Sequence, residues 1–186
     1  FTRPSMMHAL GKVGFQQSYT YFTWRNTKQE LEGYLTELVH GSADFFRPNF
    51  WVSTPDILTE YLQFGGPAAH KIRAVLASMC TPNWGMYSGY ELCESVARPG
   101  AEEHIDSEKF EIKIRDWDAA LKSQDTLIPR VSLLNKIRKE NPALQQLRNL
   151  VTHYSDDPEV LVYSKHIASE HNGGKANTVL VVVNTD

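Results

Sequence analysis

The sequence has 186 residues, 41% hydrophobic and 22% charged, enough for one sizeable core in an ordinary soluble protein of one or two domains. Its formal net charge is -3 and no dense Lys/Arg block occurs, which excludes the electrostatic footprint of nucleic-acid or anionic-membrane binding. No apolar run approaches the ~18 residues of a membrane span, and Cys80 and Cys93 are too few and too widely spaced for a C-x-x-C site or a disulfide scaffold, so a reduced cytoplasmic protein is expected.

In chain order, residues 14–24 are rich in aromatic and β-branched residues and predict a strand. A helix is expected from Asn26 or Thr27, with Glu30 completing a capping box and Leu31, Tyr34, Leu35, Leu38 and Val39 forming one apolar stripe that ends at His40-Gly41. After Arg47-Pro48, residues 49–54 predict a strand whose near-continuous apolar character fits a parallel sheet covered on both faces. Past Gly65-Gly66-Pro67 the spacing predicts a helix over 68–80, closed by Thr81-Pro82, and then a short buried strand at 85–89. Residues 94–118 lack periodicity and read as a long loop; a helix follows from about Thr126 to Glu140 on Leu127, Val131, Leu134 and Ile137. The fold class is therefore α/β, with βα units in series.

Beyond Leu147 the texture changes. Strand-like runs at 159–164 and 178–184, separated by Asn172-Gly173-Gly174, predict an antiparallel all-β module, which sets domains at 1–147 and 148–186. Residue 1 is Phe rather than Met, the N-terminal residues carry no signal-peptide hydrophobic region, and the last residues follow directly on the strongest strand signal. The sequence accordingly reads as a fragment.

Asp56 stands at the C-terminal end of the second strand, where barrel enzymes place catalytic groups. On the residues alone it reads more readily as a surface N-cap for a helix starting at Ile57. By the same reading Lys109 is an exposed loop lysine, Tyr87 a core tyrosine with a satisfied hydroxyl, and Tyr19, Tyr21 and Trp24 strand packing or sugar-stacking platforms. The seven histidines never take metal-ligand spacing, and no Gly-x-Ser-x-Gly, P-loop or Gly-x-Gly-x-x-Gly occurs, so neither metal nor cofactor is expected.

Several words in one order are more specific: Gln17-Ser18-Tyr19-Thr20-Tyr21-Phe22-Thr23-Trp24-Arg25-Asn26, Arg47-Pro48-Asn49-Phe50, Thr54-Pro55-Asp56-Ile57-Leu58, Lys71-Ile72-Arg73-Ala74-Val75-Leu76-Ala77, Tyr87-Ser88-Gly89-Tyr90-Glu91-Leu92, Asp106-Ser107-Glu108-Lys109 and Pro142 to Arg148. Together they resemble the bacterial α-1,4-glucan:maltose-1-phosphate maltosyltransferases of the α-amylase clan, over almost the whole chain. Most of that clan has Asn-His-Asp where this chain has Thr54-Pro55-Asp56, as the maltosyltransferases do. Ser53 and Phe110 depart from the family, which more typically has Asn and Tyr there.

The resemblance implies strands six to eight of a (β/α)8 barrel followed by the start of a β-sandwich. It implies a retaining double displacement that moves a maltosyl group from α-maltose 1-phosphate to an α-1,4-glucan acceptor. Such chemistry needs two carboxyl groups about 5–5.5 Å apart. In the family, the nucleophile lies well upstream, and the acid/base Glu sits in a Glu-Ala-Phe-Thr-Arg-Pro word whose last four residues match Phe1-Thr2-Arg3-Pro4. The fragment is therefore expected to be inactive alone. By resemblance Asp56 is the third carboxylate, bonding the 2- and 3-hydroxyls of the transferred sugar; Lys109 reaches the donor's maltosyl unit, and Glu108, Tyr87 and Glu91 line or brace the pocket. Alternatives are another clan member, hydrolase or trehalose-forming isomerase, and a non-catalytic carbohydrate-binding module. Open sheet edges leave association into a homo-oligomer, a non-barrel arrangement, or membership of a larger molecule as outcomes.

Overall fold

The computed structural model describes residues 2–123 and 125–186, so that Phe1 of the Phe1-Thr2-Arg3-Pro4 word lies outside the described residues. Helix α1 (Pro4–Lys12) opens on a proline in its first turn, where no amide donor is needed. Strand β1 (Gln17–Tyr19) is followed by a 3-10 turn at Tyr21–Trp24. Helix α2 (Lys28–Thr36) starts on the expected capping box: Thr27 Oγ1 accepts from the Glu30 amide at 3.3 Å, and Glu30 accepts from the Thr27 amide at 3.2 Å. A wider π turn, Glu37–Ser42, carries the helix on to strand β2 (Arg47–Trp51). Helices α3 (Glu60–Phe64) and α4 (Gly66–Cys80) lead to strand β3 (Asn83–Gly85). The three strands pair in parallel in chain order, with β2 in the centre.

The strand expected over 14–24 forms only at Gln17–Tyr19. The Thr20 hydroxyl donates to the Asn49 carbonyl at 3.1 Å and the Thr23 hydroxyl to the Trp51 carbonyl at 3.0 Å, so side chains on a 3-10 turn take bonds that a longer ladder would have used. Likewise β3 ends at Gly85, and 86–89 turn through Gly89, whose φ of 101° is left-handed. No helix starts at Ile57; α3 begins at Glu60. Residues 94–116 form a loop whose ladder is limited to an isolated Ala97–His104 bridge, as its missing periodicity predicts.

Helices α5 (Trp117–Ser123) and α6 (Ile128–Glu140) follow, and then an antiparallel sheet of β4 (Leu150–His153), β5 (Val160–Ile167) and β6 (Asn177–Asn184), with β5 central. Strand β5 alternates, sending Leu161, Tyr163, Lys165 and Ile167 inward. One hydrophobic cluster runs through both sheets, taking Phe22, Phe50 and Leu76 together with Leu161, Tyr163 and Val183. Phe22 stacks on Phe50 with ring centroids 4.1 Å apart.

Helix α4 lies at the centre, against β2, β3, α3, α6 and β6. Its joints are made by cations. Arg73, fully buried, donates to the Arg25 and Phe22 carbonyls and lies 3.8 Å above the Phe22 ring. At the helix end Arg138 donates to the carbonyls of Ser78, Thr81 and Pro82, and Lys165 to those of Cys80 and Gln146. Burial lowers the Lys165 ammonium from 10.5 to about 8. Between those values the unfolded chain holds the proton that the folded one has lost, so this group's contribution to stability rises with pH through the window and is least favourable below pH 8. Urea unfolding of the wild type and Lys165→Met between pH 7 and 9 should show their stability difference moving toward the wild type by about 1 kcal/mol per pH unit above pH 8. A difference independent of pH would count against a buried charge at this position.

Candidate functional site

Strand β2 ends where Val52 donates to the Gly85 carbonyl at 3.1 Å. Residues 54–57 then form a tight turn closed by reciprocal bonds, Thr54 amide to Ile57 carbonyl at 3.1 Å and Ile57 amide to Thr54 carbonyl at 3.2 Å. Proline at position 55 suits the first corner of such a turn, and Asp56 takes the second. Its side chain is 61% exposed, so the carboxylate projects from the C-terminal end of the parallel sheet into solvent. Ser53 is buried at the base of the turn, and its hydroxyl finds no partner among the described residues.

The 94–116 loop folds over this end of the sheet. Glu102 ties it down in three ways: its carbonyl accepts from the Leu58 amide at 2.7 Å, and its carboxylate accepts from the Glu60 amide at 3.1 Å and from the Trp24 indole at 2.9 Å. The carboxylate thus supplies the cap that Thr59 does not give α3. Farther along, Lys109 Nζ reaches Asp56 Oδ1 at 2.7 Å, with Glu103 at 3.9 Å. The hydrogen bond to Asp56 raises the pKa of Lys109 and keeps it a cation. Residues 105–113 curl round a cleft of about 330 Å³ that Lys109, Asp106 and the exposed Phe110 help to line.

Beneath Lys109 lies a second, better covered cluster. Arg115, its side chain 5% exposed, grips Glu94 with two bonds of 2.8 and 3.0 Å and reaches Glu108 at 3.3 Å. Lys113 adds its ammonium to Glu94 at 3.2 Å and its amide to Glu108 at 2.9 Å, while the Tyr87 hydroxyl donates to Glu108. The Tyr87 bond and the Lys113 amide hold Glu108 below the usual carboxylate range. Burial pushes Glu94 up, but Arg115 and Lys113 outweigh it and the net shift is downward. Glu94 in turn raises Arg115.

Of the residues singled out in the sequence, Asp56 and Lys109 meet directly, and Tyr87 and Glu108 meet one layer below. Glu91 does not join them: its carboxylate turns back to the Gly89 amide at 3.0 Å and its carbonyl accepts from the Leu127 amide at 2.7 Å, bracing the turn and the start of α6. Tyr19, 43% exposed, packs on Trp51, and Tyr21 packs on Trp24 in the following turn, at 5.2 and 5.9 Å between centroids. Glu94, Glu102 and Arg115 were not singled out. Their signal in the sequence is weak: Lys113 and Arg115 alternate with Ile112 and Ile114, an inside-outside period in a stretch otherwise without pattern.

Glycine at 89 is demanded twice, by its left-handed φ and because a Cβ there would lie 2.3 Å from Glu94 Oε2 and 2.8 Å from Arg115 Nε. Gly100 has a left-handed φ of 71° and open space around it. Chemical denaturation should therefore show Gly100→Ala costing about 1 kcal/mol and Gly89→Ala at least about 2 kcal/mol more, the excess reporting the displaced ion cluster. Equal losses at the two positions would mean that the cluster yields freely.

No family model matches the chain. It is 58% identical over 187 residues to alpha-1,4-glucan:maltose-1-phosphate maltosyltransferase 1 of Streptomyces coelicolor and 54% identical to maltosyltransferase 2 of the same organism, in each case over all of this chain and 27% of the relative. The corresponding enzyme of Corynebacterium glutamicum is 52% identical over the same extent. The chain thus spans about 27% of the length of the curated relatives it matches. Along its entire length, it is related to one stretch of the alpha-1,4-glucan:maltose-1-phosphate maltosyltransferases.

Proposed function

We propose that this chain forms part of a retaining maltosyltransferase that moves maltosyl units from α-maltose 1-phosphate to the non-reducing end of α-1,4-glucans. The observation that carries the reading is the Asp56–Lys109 pair at 2.7 Å. The resemblance assigns these two residues, far apart in sequence, to the same transferred sugar, and they meet at the C-terminal end of a parallel sheet, where barrel enzymes work. In the same reading β1, β2 and β3 with their helical crossovers are strands six to eight of a (β/α)8 barrel, and the antiparallel sheet opens a β-sandwich. The consecutive parallel order of β1, β2 and β3 supports this.

Chemically, Asp56 is a supporting carboxylate. An exposed carboxylate on a rigid turn accepts hydrogen bonds from two neighbouring hydroxyls, and these bonds strengthen as the sugar ring flattens toward an oxocarbenium-like transition state. Lys109, held as a cation, neutralises the carboxylate before the sugar arrives and presents an ammonium donor to the maltosyl unit afterwards. Covalent attack and proton transfer fall to two further carboxyl groups that the resemblance places outside these 186 residues, so the chain by itself is expected to turn over no substrate.

The test is phosphate release from α-maltose 1-phosphate with a maltooligosaccharide acceptor, using the full-length protein that contains this chain. Release coupled to acceptor elongation is expected, and Asp56→Asn should lower kcat/KM by at least about 100-fold with the fold intact. Hydrolysis of α-glucan, formation of trehalose, or full activity in Asp56→Asn would overturn the reading.

A further inference from the structure

The Lys109–Asp56 pair is exposed on both sides, at 42% and 61% of side-chain area, and water and salt screen pairs of that kind until they contribute little. It is too weak to order the loop that carries Lys109. The order comes from below. Glu108, the residue before Lys109, has a left-handed φ of 54°, a conformation that is strained for a non-glycine residue and persists where its surroundings impose it. Its surroundings here are the Tyr87 hydroxyl, the Lys113 amide and the Arg115 guanidinium, all on one carboxylate. Arg115 is in turn fixed by its two-point grip on Glu94 and lies 5.6 Å from the Tyr87 ring. A planar fork that engages two carboxylates at once is something guanidinium supplies and ammonium does not.

We propose that Arg115 is a positioning residue for Lys109: by joining Glu94 to Glu108 it holds the left-handed turn that sends the Lys109 side chain across to Asp56. Gly89 belongs to the same device, since its missing side chain leaves room for Glu94 and Arg115 to meet. Lys113 and Arg115 face inward, while Phe110, Ile112 and Ile114, each about nine-tenths exposed, face out. The loop is therefore held by its charged face and not by its apolar one.

The consequence for activity rests on the function proposed above; the consequence for loop order does not. In the full-length protein, tryptic cleavage after Lys109 should accelerate about tenfold or more in Arg115→Met, with the melting temperature reporting global stability separately. Under the proposed function, Arg115→Met should raise KM for α-maltose 1-phosphate and lower kcat/KM by about 10-fold or more, as should Lys109→Ala, and the double variant should lose little beyond the worse single variant because both act through one group. Arg115→Lys should restore little of the loss. If Arg115→Met does not fold, the same cleavage assay and cycle with Arg115→Lys decide. Unchanged cleavage, or losses that multiply in the double variant, would overturn the positioning role. Faster cleavage in a protein that releases no phosphate from α-maltose 1-phosphate would keep it and remove the assigned function instead.

Discussion

Buried and half-buried cations bonded to backbone carbonyls hold this structure together. Arg73, Arg138, Lys165 and Lys28 each join elements distant in sequence, and among the described residues none of the four pairs with a carboxylate. Arg138 and Lys165 converge on the carbonyls of Ser78, Cys80, Thr81 and Pro82, at and just beyond the end of α4, where the helix leaves its last acceptors without internal partners and its dipole is negative. The cost is plain in the cations themselves: burial lowers Arg73 to about 10 and Lys165 to about 8. What they give in return is geometry. Remove Arg138 or Lys165, and the carbonyls each one joins lose that donor, which is more damaging than the loss of an ordinary surface contact. Because α4 faces both sheets, the placement of the parallel sheet against the antiparallel one depends on these few side chains.

The candidate site divides its labour by depth. Asp56 and Lys109 sit at the surface, free to meet a ligand, while Glu94, Arg115, Glu108 and Tyr87 sit below and do the holding. Glu102 closes the other side, fastening the loop to the start of α3 and to Trp24. An exposed pair on a fixed base suits the recognition of hydroxyls, which need short, directional bonds from groups that are already in place.

Local chemistry was legible in the sequence. Thr27 and Glu30 announce α2, the Gly65-Gly66-Pro67 break announces α4, and the strand-like runs at 159–164 and 178–184 announce β5 and β6. Asp56 is legible as the residue at the end of a strand, while its contact with Lys109 emerges only in the fold. Other features were not, because their causes are tertiary. The aromatic run at 14–24 has the composition of a strand, yet Thr20, Thr23 and Arg73 draw its second half into a turn. Asp56 after Pro55 looks like a helix cap, yet Thr54 and Ile57 close on each other and postpone the helix to Glu60. Nothing in the spacing of Glu94 and Arg115 says that they meet; a loop without periodicity hides its partners until it is folded.

The covered cations and the exposed pair also answer differently to ionic strength. Dissolved salt screens charges that water reaches, over a Debye length of about 8 Å at physiological concentration, and acts far less on charges enclosed in protein. Arg73 and Lys165 at α4 are enclosed, whereas Lys109 and Asp56 stand in solvent. Added salt therefore loosens the grip between the loop and the turn while leaving the frame beneath it unchanged, and the exposed pair is the part of the molecule that feels its electrolyte.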